Sequence, residues 1–378
     1  MRNAFVLSAV ALACGGAMAQ SSVTLSGIVD VSVQRFDFGS NGKATMVGNG
    51  GLSTSRLVFR GTEDLGGGLY GGFWLEGSIN PDTGEGRNTN LNNQPSGSAA
   101  GPAGTTGFKF DRSSYVSLGS KSMGELRLGH DFIPTHWSSI YFDPFNANGV
   151  ARAGNLTFAG VTAASLPTAI TASNSVSYWL PSNLGGVYGM AMIATGENNT
   201  GAPNEDDGNL AGFRLGYASG PFDVAVAMTK TRNLASGTIG GYTHANIGGT
   251  YNAGFAKFFA LYNVIKVGLT TGEVRKNTAE VGAHIPVGPA GRIRVSYVTV
   301  DDRTSGSLTN ANGSLRDTND ANQWGLGYVH DLSKRTALYA TYAQLSNKGQ
   351  GQYLLSGGRV PGPGEKTTGF EMGVRHSF

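Results

Sequence analysis

From Val23 to Gln34 the chain alternates: Val23, Leu25, Val29, Val31 and Val33 take odd positions and mostly polar side chains take the even ones. A period of two sends successive side chains to opposite faces, so this segment reads as a strand between two different environments. The pattern returns at Leu57 and Phe59 against Arg56 and Arg60, at Leu69, Phe73 and Leu75 against Tyr70, Trp74 and Glu76, and at Leu126 and Leu128 against Glu125 and Arg127. It continues with Phe213, Leu215 and Tyr217 against Arg214, Phe222 to Met228 against Asp223, and Ile293, Val295 and Tyr297 against Arg292 and Arg294. The chain ends on Phe370, Met372, Val374 and Phe378 against Glu371, Arg375 and Ser377. One face is apolar and the other carries charge. A soluble sandwich would turn the apolar face inward, whereas a membrane barrel would turn it to lipid and line water with the charges. Periodicity alone leaves both open.

The connections separate the two. Short glycine- or proline-marked turns fall at 64–68, 120–124, 181–186, 218–221, 252–254, 287–291 and 330–335. They alternate with longer polar stretches near 37–54, 77–109, 131–172, 196–209, 231–245, 266–279, 301–321 and 346–368. Seven turns and eight loops between two terminal strands predict an all-β chain of about sixteen antiparallel strands, with short turns at one rim and long loops at the other. A closed barrel of that size leaves an aqueous channel, because side chains cannot fill it. The third long stretch carries Ile133, Trp137, Ile140, Tyr141, Phe142, Phe145, Leu156 and Phe158. A freely solvated loop has no use for that apolar content, so it is expected to fold inward onto the channel wall; an extracellular hairpin across the mouth is the alternative.

Composition narrows the class further. Glycine supplies 59 of 378 residues and only 14% are charged, which argues against an ordinary soluble enzyme domain and against disorder. No apolar run approaches the roughly eighteen residues of a membrane helix, so a bilayer could be crossed only by strands. At the N-terminus, Met1 and Arg2, the apolar stretch Ala4 to Ala13 and Ala17-Met18-Ala19 read as a signal peptide over 1–19, leaving 20–378 as a single barrel domain. Cys14, which could suggest a lipoprotein, lacks leucine three places earlier, where Ala11 stands. Removing the leader removes the sole cysteine and leaves a net charge of +2, so no disulfide, thiolate chemistry or sulfur-bound zinc is expected.

The chain resembles the Gram-negative trimeric general porins, in particular the beta-proteobacterial type. The residues that carry the resemblance are Ser22 to Leu25, Ser55 to Leu69 across the first hairpin, Gly124 to Gly129, Asp143-Pro144-Phe145, Gly154-Asn155-Leu156, Asp331 to Thr336 and Gly373 to Phe378. Together they run through essentially the whole mature chain. The resemblance implies an outer-membrane homotrimer in contact with lipid and lipopolysaccharide, passing small hydrophilic solutes and ions by passive diffusion. It also implies that Phe370, Met372, Val374 and Phe378 form the signal read by the outer-membrane assembly machinery.

Members of that family oppose a basic wall to acids on the inward third loop. Carried onto this sequence, the wall comprises Arg56 and Arg60 with Arg112, Arg127 and His130, and the loop contributes Asp143, with Phe145 fixing it to the wall. Two departures weaken the pattern: His130 and Ser177 stand where relatives carry arginine. Loop acids are limited to Asp131 and Asp143, and Arg152 has the opposite sign. A weak anion preference is therefore expected, although each arginine could instead be an ion-pair partner of Asp30, Glu76 or Glu125.

Other chemistry finds little support. The six histidines, His130, His136, His244, His284, His330 and His376, are scattered and form no H-E-x-x-H, so neither a metal site nor a barrel hydrolase is expected. Gly66-Gly67-Gly68 and Gly71-Gly72 lack the Lys-Ser/Thr ending of a phosphate loop and read as hairpin geometry. A charge of +2 spread along the chain does not suggest nucleic acid. No cofactor is expected. A substrate-selective channel remains the alternative to a general one, and a secreted lectin-like β-protein is disfavoured by the terminal strand and the turn asymmetry.

Overall fold

The computed structural model describes residues 22–97, 107–158, 167–233 and 239–378; the leader at 1–19 and Cys14 lie outside the described residues. Three strands open the chain: β1 (Ser22–Asp37), β2 (Lys43–Asn49) and β3 (Arg56–Gly66). β4 (Leu69–Ser78), β5 (Ser113–Ser120) and β6 (Gly124–Phe132) follow, and then two short helices, α1 (Pro134–Phe142) and α2 (Gly154–Thr157). The remaining strands are β7 (Thr171–Trp179), β8 (Val187–Ala194), β9 (Leu210–Ser219), β10 (Phe222–Thr231), β11 (Ile239–Asn252), β12 (Lys257–Leu269), β13 (Gly272–Val287), β14 (Gly291–Asp302), β15 (Ala321–Asp331), β16 (Thr336–Asn347) and β17 (Lys366–Ser377).

Each strand pairs antiparallel with its sequence neighbour, and β17 closes on β1 in the register Ile28 to Ser377 through Asp37 to Thr368. The first strand is long enough to serve two partners. Its lower part, Ser22 to Ile28, pairs with β3, and its upper part, Val31 to Asp37, pairs with β2. β2 and β3 therefore make one stave of the wall, interrupted where residues 50–55 leave it, and the closed barrel has sixteen staves. Closure gives every stave a partner on both sides, the condition for burying backbone polar groups in hydrocarbon.

All seven expected turns connect neighbouring strands. In the first, Gly66, Gly67 and Gly68 take φ of 81°, 61° and 82°, a left-handed run that a side chain would resist. Three loop expectations change, the first being 231–245, whose residues 239–245 already belong to β11. Residues 266–279 are not a loop: Lys266 pairs with Arg275 and Tyr262 with Ala279, leaving only Thr270 and Thr271 between β12 and β13. The stretch 37–54 likewise contains β2. Polarity does not mark a loop here: on these strand segments near the long-loop rim Lys43, Lys266 and Arg275 stand on the outward face, while Ala44, Met46 and Val267 face inward.

Outward positions such as Leu126, Leu128, Leu215, Val224 and Met372 are apolar and exposed, while their even or odd counterparts face the lumen. Ordinary burial is found where loops lie on the inner wall: the third loop, the last long loop with Tyr353 and Leu355 against Phe36 and Phe38, and Leu52 against Val329 and Tyr339. Pro134 opens α1, and Pro144 ends it by forcing Asp143 into an extended conformation (φ −86°, ψ 124°). Ile133 packs with Met190, Met192 and Leu210. Phe142 packs with Ala225 and Leu261, while Phe145, Val150 and Leu156 meet Val298, Val300 and Leu345. Burying each of these large side chains contributes roughly 1.5–3 kcal/mol, which holds the loop to the wall along β8–β16. The inward course read from the loop's apolar content is the one observed.

Candidate functional site

The third loop leaves only part of the lumen open. On the far side its tip meets the segment that interrupts the second stave: Gly149 N donates to Gly50 O at 3.0 Å, and Thr54 Oγ1 donates to Asn148 Oδ1 at 3.0 Å. Val150 N donates to Glu371 Oε1 on β17 at 3.1 Å. Gly149 takes φ +71°, and a Cβ there would lie 2.5 Å from Glu371 Oε1 and 2.6 Å from Gly51 O. Only glycine permits this crossing.

The opposite segment is built around Asp30 of β1. Its carboxylate accepts from Leu52 N and Ser53 N, both at 2.8 Å, and from the Tyr339 hydroxyl at 2.5 Å. Ser55 Oγ accepts from Asp30 N and donates to Asp30 O. These bonds satisfy backbone that has left the ladder, and they hold residues 50–55 against the lumen.

The narrowed passage between loop and wall is lined by Arg56, Arg87, Arg112, Arg152, Arg292, Arg294 and Arg375, against two acids, Glu76 and Asp82. Arg56 Nε lies 3.2 Å from Glu76 Oε1, and Arg112 donates to the same oxygen. Trp74 Nε1 donates to the other carboxylate oxygen at 2.9 Å. One carboxylate thus offsets only one of two guanidinium groups. Arg112 also lies over the Phe132 ring at 5.0 Å, which fixes its plane. Arg292 is paired with Asp331 at 3.0 Å, and the Arg294 guanidinium stacks over Phe145 at 4.5 Å.

The structure therefore brings Arg56 and Arg112 together at the passage. Arg60 shares the inward parity of Arg56 but lies nearer the short-turn rim, over the Trp74 ring at 5.7 Å. Arg127 is inward too, yet its charge is met by Glu125 at 3.1 Å and Asp131 at 3.3 Å, between the Tyr115 and Trp179 rings. His130 differs from the expectation. It stands opposite Ser114 on the outward parity of β6, and its ring bonds Ser173 Oγ at 2.9 Å and Asp111 O at 3.0 Å. Two residues beyond Leu128, it cannot share the inward face of Arg127.

Asp143 also differs. It is buried inside the loop, accepting from Phe145 N (2.6 Å), Ala147 N (3.2 Å) and Ala153 N (3.0 Å). Its carboxylate shapes the loop and does not face the solute. Burial pushes its pKa up against those three donors. Phe145 is wholly buried between the loop and β14–β16, so it anchors and does not line. Residues 143–153 present Arg152 at the open edge instead, where burial lowers the guanidinium pKa. His136 lines the passage beside it, and burial together with Arg112, Arg152 and His244 pushes it down to about 3, leaving it neutral.

Arg292, Arg294 and Arg375 were visible as polar-parity residues of recognised strands. What the sequence did not supply was the relation among strands far apart in the chain. Arg87 and Arg152 come from loops, where no periodicity marks a direction. On β17, Phe370, Met372 and Val374 face outward and are exposed, as is Phe378 just beyond it. Gly27 and Phe378 exchange two backbone hydrogen bonds of 3.0 Å. Among the described residues no cluster of three or more potential ligands could hold a metal ion.

Comparison with known proteins agrees with this geometry. Residues 6–350 match the family described as Gram-negative porin. Outer membrane porin protein 32 of Delftia acidovorans is 35% identical over 386 aligned positions, spanning all of both chains. The solved anion-selective porin from Comamonas acidovorans is also 35% identical, with a TM-score of 0.79 over 95% of this chain and 100% of that one. OmpT of Vibrio cholerae, solved in a trimer form, is 12% identical with a TM-score of 0.63 over 95% of this chain and 99% of that one, a likeness of fold.

Proposed function

The chain belongs to the Gram-negative porin family and is an outer-membrane channel, not an enzyme, and from that premise we propose that it passes small hydrophilic solutes by passive diffusion with a preference for anions. The observation that carries this reading is the charge of the narrowed passage, seven arginines against Glu76 and Asp82. Low-dielectric walls focus the field of such groups and raise the local anion concentration. Arginine suits the task because its guanidinium stays charged at any working pH and is weakly hydrated. Neutral His136 adds no charge of its own. The solute gradient supplies the driving force.

The constriction is assigned to Arg56 and Arg112 on the wall, with Arg375, Arg292 and Arg294 beyond them and Arg152 on the loop edge. Arg60 acts one step nearer the short-turn rim. Planar-bilayer recording in a salt gradient tests the reading: the reversal potential has the sign of anion preference. A potential on the cation side would overturn it.

Assembly as a homotrimer is part of the proposal. The outward positions from Val23 to Val33 on β1, from Leu57 to Gly61 on β3 and from Leu69 to Gly77 on β4 are apolar or glycine, including Gly27, Gly61 and Gly77. A Cβ at Gly61 would strike the Phe73 ring at 2.3 Å, and one at Gly27 the Phe378 ring at 2.5 Å. That flat aromatic surface suits a second copy of the chain. The exposed row on β17 ending at Phe378 is the segment offered to the assembly machinery. A signal peptide over 1–19 brings the chain there.

A further inference from the structure

We propose that the outer mouth of the channel holds a binding site for a small polyhydroxy monocarboxylate, a sugar acid, between the loops before β15 and before β17, with Arg316 receiving the carboxylate. The proposal rests on the channel reading and adds to it a favoured class of solute.

The two loops are stapled to each other. Asn347 Nδ2 donates to Tyr353 O at 3.1 Å, and Tyr353 N donates back to Asn347 Oδ1 at 2.8 Å, so the chain from Asn347 to Tyr353 closes into a tight return. In the loop before β15, a bridge between Thr309 and Leu315 makes a short hairpin. Arg316 opens the turn that follows, where Asn319 N donates to Arg316 O at 3.0 Å. Between the loops, Gln350 N donates to Asn319 Oδ1 at 3.0 Å and Lys348 N to Asp320 O at 2.8 Å. These bonds set the site before a solute arrives, which lowers the ordering cost of binding.

The loops enclose, with the outer ends of β13 and β14, a cavity of about 230 Å³. That is below the roughly 300–1,000 Å³ of sites for drug-sized ligands, and it suits a single sugar unit. Its charged lining is two cations, Lys276 and Arg316, against one acid, Asp302; Asp317 and Asp320 lie outside it. Lys276 and Asp302 stand opposite each other and answer one another: Lys276 Nζ lies 3.9 Å from Asp302 Oδ2 and donates to the Tyr353 hydroxyl at 2.8 Å. Among the described residues the Arg316 side chain has no ion pair and no hydrogen bond. One positive charge is therefore left over, on the group whose planar fork matches a carboxylate. The charge selects a monoanion.

The remaining lining selects hydroxyls. Asn310 and Asn319 hold each other, Asn319 Nδ2 donating to Asn310 Oδ1 at 2.8 Å, and Gln350 and Gln352 stand beside them. Gln352 Nε2 donates to Pro361 O at 2.8 Å, which leaves its carbonyl oxygen to accept. Side-chain amides both donate and accept, as a row of hydroxyls requires of its partners. Acetate would use Arg316 and leave the amides unmatched, and a neutral sugar would do the reverse. The site also leads inward: Ser356 and Gly357 of the same loop line the narrowed passage, and Ser356 N donates to Asn155 Oδ1 of the third loop at 3.1 Å.

The test titrates the folded protein in non-ionic detergent with sodium D-gluconate and follows the heat of binding. Saturation at one gluconate per chain is expected, with acetate and glucose each binding roughly tenfold or more weakly. Arg316→Gln is expected to weaken gluconate roughly tenfold or more, the size of a lost charge-assisted pair. Arg316→Lys keeps the charge without the fork and falls between the two, which separates loss of the contact from loss of the fold. Arg359→Gln, on the loop before β17 but outside the cavity, binds as wild type does. Unchanged affinity in Arg316→Gln, acetate or glucose binding as tightly as gluconate, or no saturable binding would each overturn the proposal. So would affinity kept in Arg316→Gln and lost in Arg56→Ala, which places the acid at the narrowed passage. Conductance and reversal potential of the same samples are read separately, so a missing outer site in an anion-preferring channel is distinguished from failure of the channel reading.

Discussion

The Tyr339 hydroxyl of β16 donates to Asp30 Oδ1 of β1 at 2.5 Å, joining two staves through the carboxylate that also holds Leu52 and Ser53. Wall and constriction therefore share one buried group. Asp30→Ala leaves these donors without an acceptor, at a cost of about 1–3 kcal/mol per buried group. The expected outcome is a lower temperature of heat-induced unfolding on gels and larger, noisier conductance steps. Tyr339→Phe should show the same changes at smaller size. Unaltered conductance in Asp30→Ala would detach this group from the constriction.

Charge at the passage is tested most directly at Arg56. Replacing Arg56 and Arg60 with alanine should raise conductance and move the reversal potential toward cation preference, with Arg56 contributing most of the shift. Glu76→Gln should move it the other way, because Arg56 and Arg112 then lose their shared counter-charge. A double variant with wild-type conductance and reversal potential removes both arginines from the assignment.

Phe145→Ala leaves a cavity between the loop and β14–β16 and removes the ring beneath Arg294. Large-to-small changes of this kind cost about 3–5 kcal/mol. The loop should loosen, and single-channel traces should show frequent transitions that wild type lacks. Quiet traces would mean that the other loop anchors suffice.

His136 predicts an acid response. Its folded pKa of about 3 lies below the ordinary 6.5, so its contribution to stability is fully present above pH 6.5 and is lost as pH falls toward 3. Each unit in that window costs about 1.4 kcal/mol. His136→Gln should flatten the fall in thermal stability between pH 7 and pH 4. Parallel pH profiles for the two proteins would show that the histidine is not the sensor.

Deleting Phe378 should reduce insertion into the outer membrane more than deleting a residue of an exposed loop does, because the ring that covers Gly27 and two backbone hydrogen bonds are lost together. Surface levels equal to wild type would remove the assembly role.

Strands and turns were legible because alternation and glycine clusters are local signals, and Leu57 and Phe59 against Arg56 and Arg60 needed no partner to be read. The division of the second stave was not, since residues 50–55 leave the wall only because Asp30 waits on another strand. Asp143 misled for a related reason. An acid in an inward loop looks like a pore charge until the loop's own amides are seen to surround it. His130 shows the limit of analogy: the family places a cation near that position, but the parity of β6 turns this side chain outward.

The reciprocal bonds between Gly27 and Phe378 lie on the seam that joins β1 to β17, the first and last strands of the wall. Synthesis runs from one end, so that seam has no second edge until β17 has been made. Until then the amides and carbonyls along that side of β1 have no final partner. Closure of the wall is thus late by topology alone, and a ribosome stalled anywhere before β17 leaves an open sheet and no partial pore.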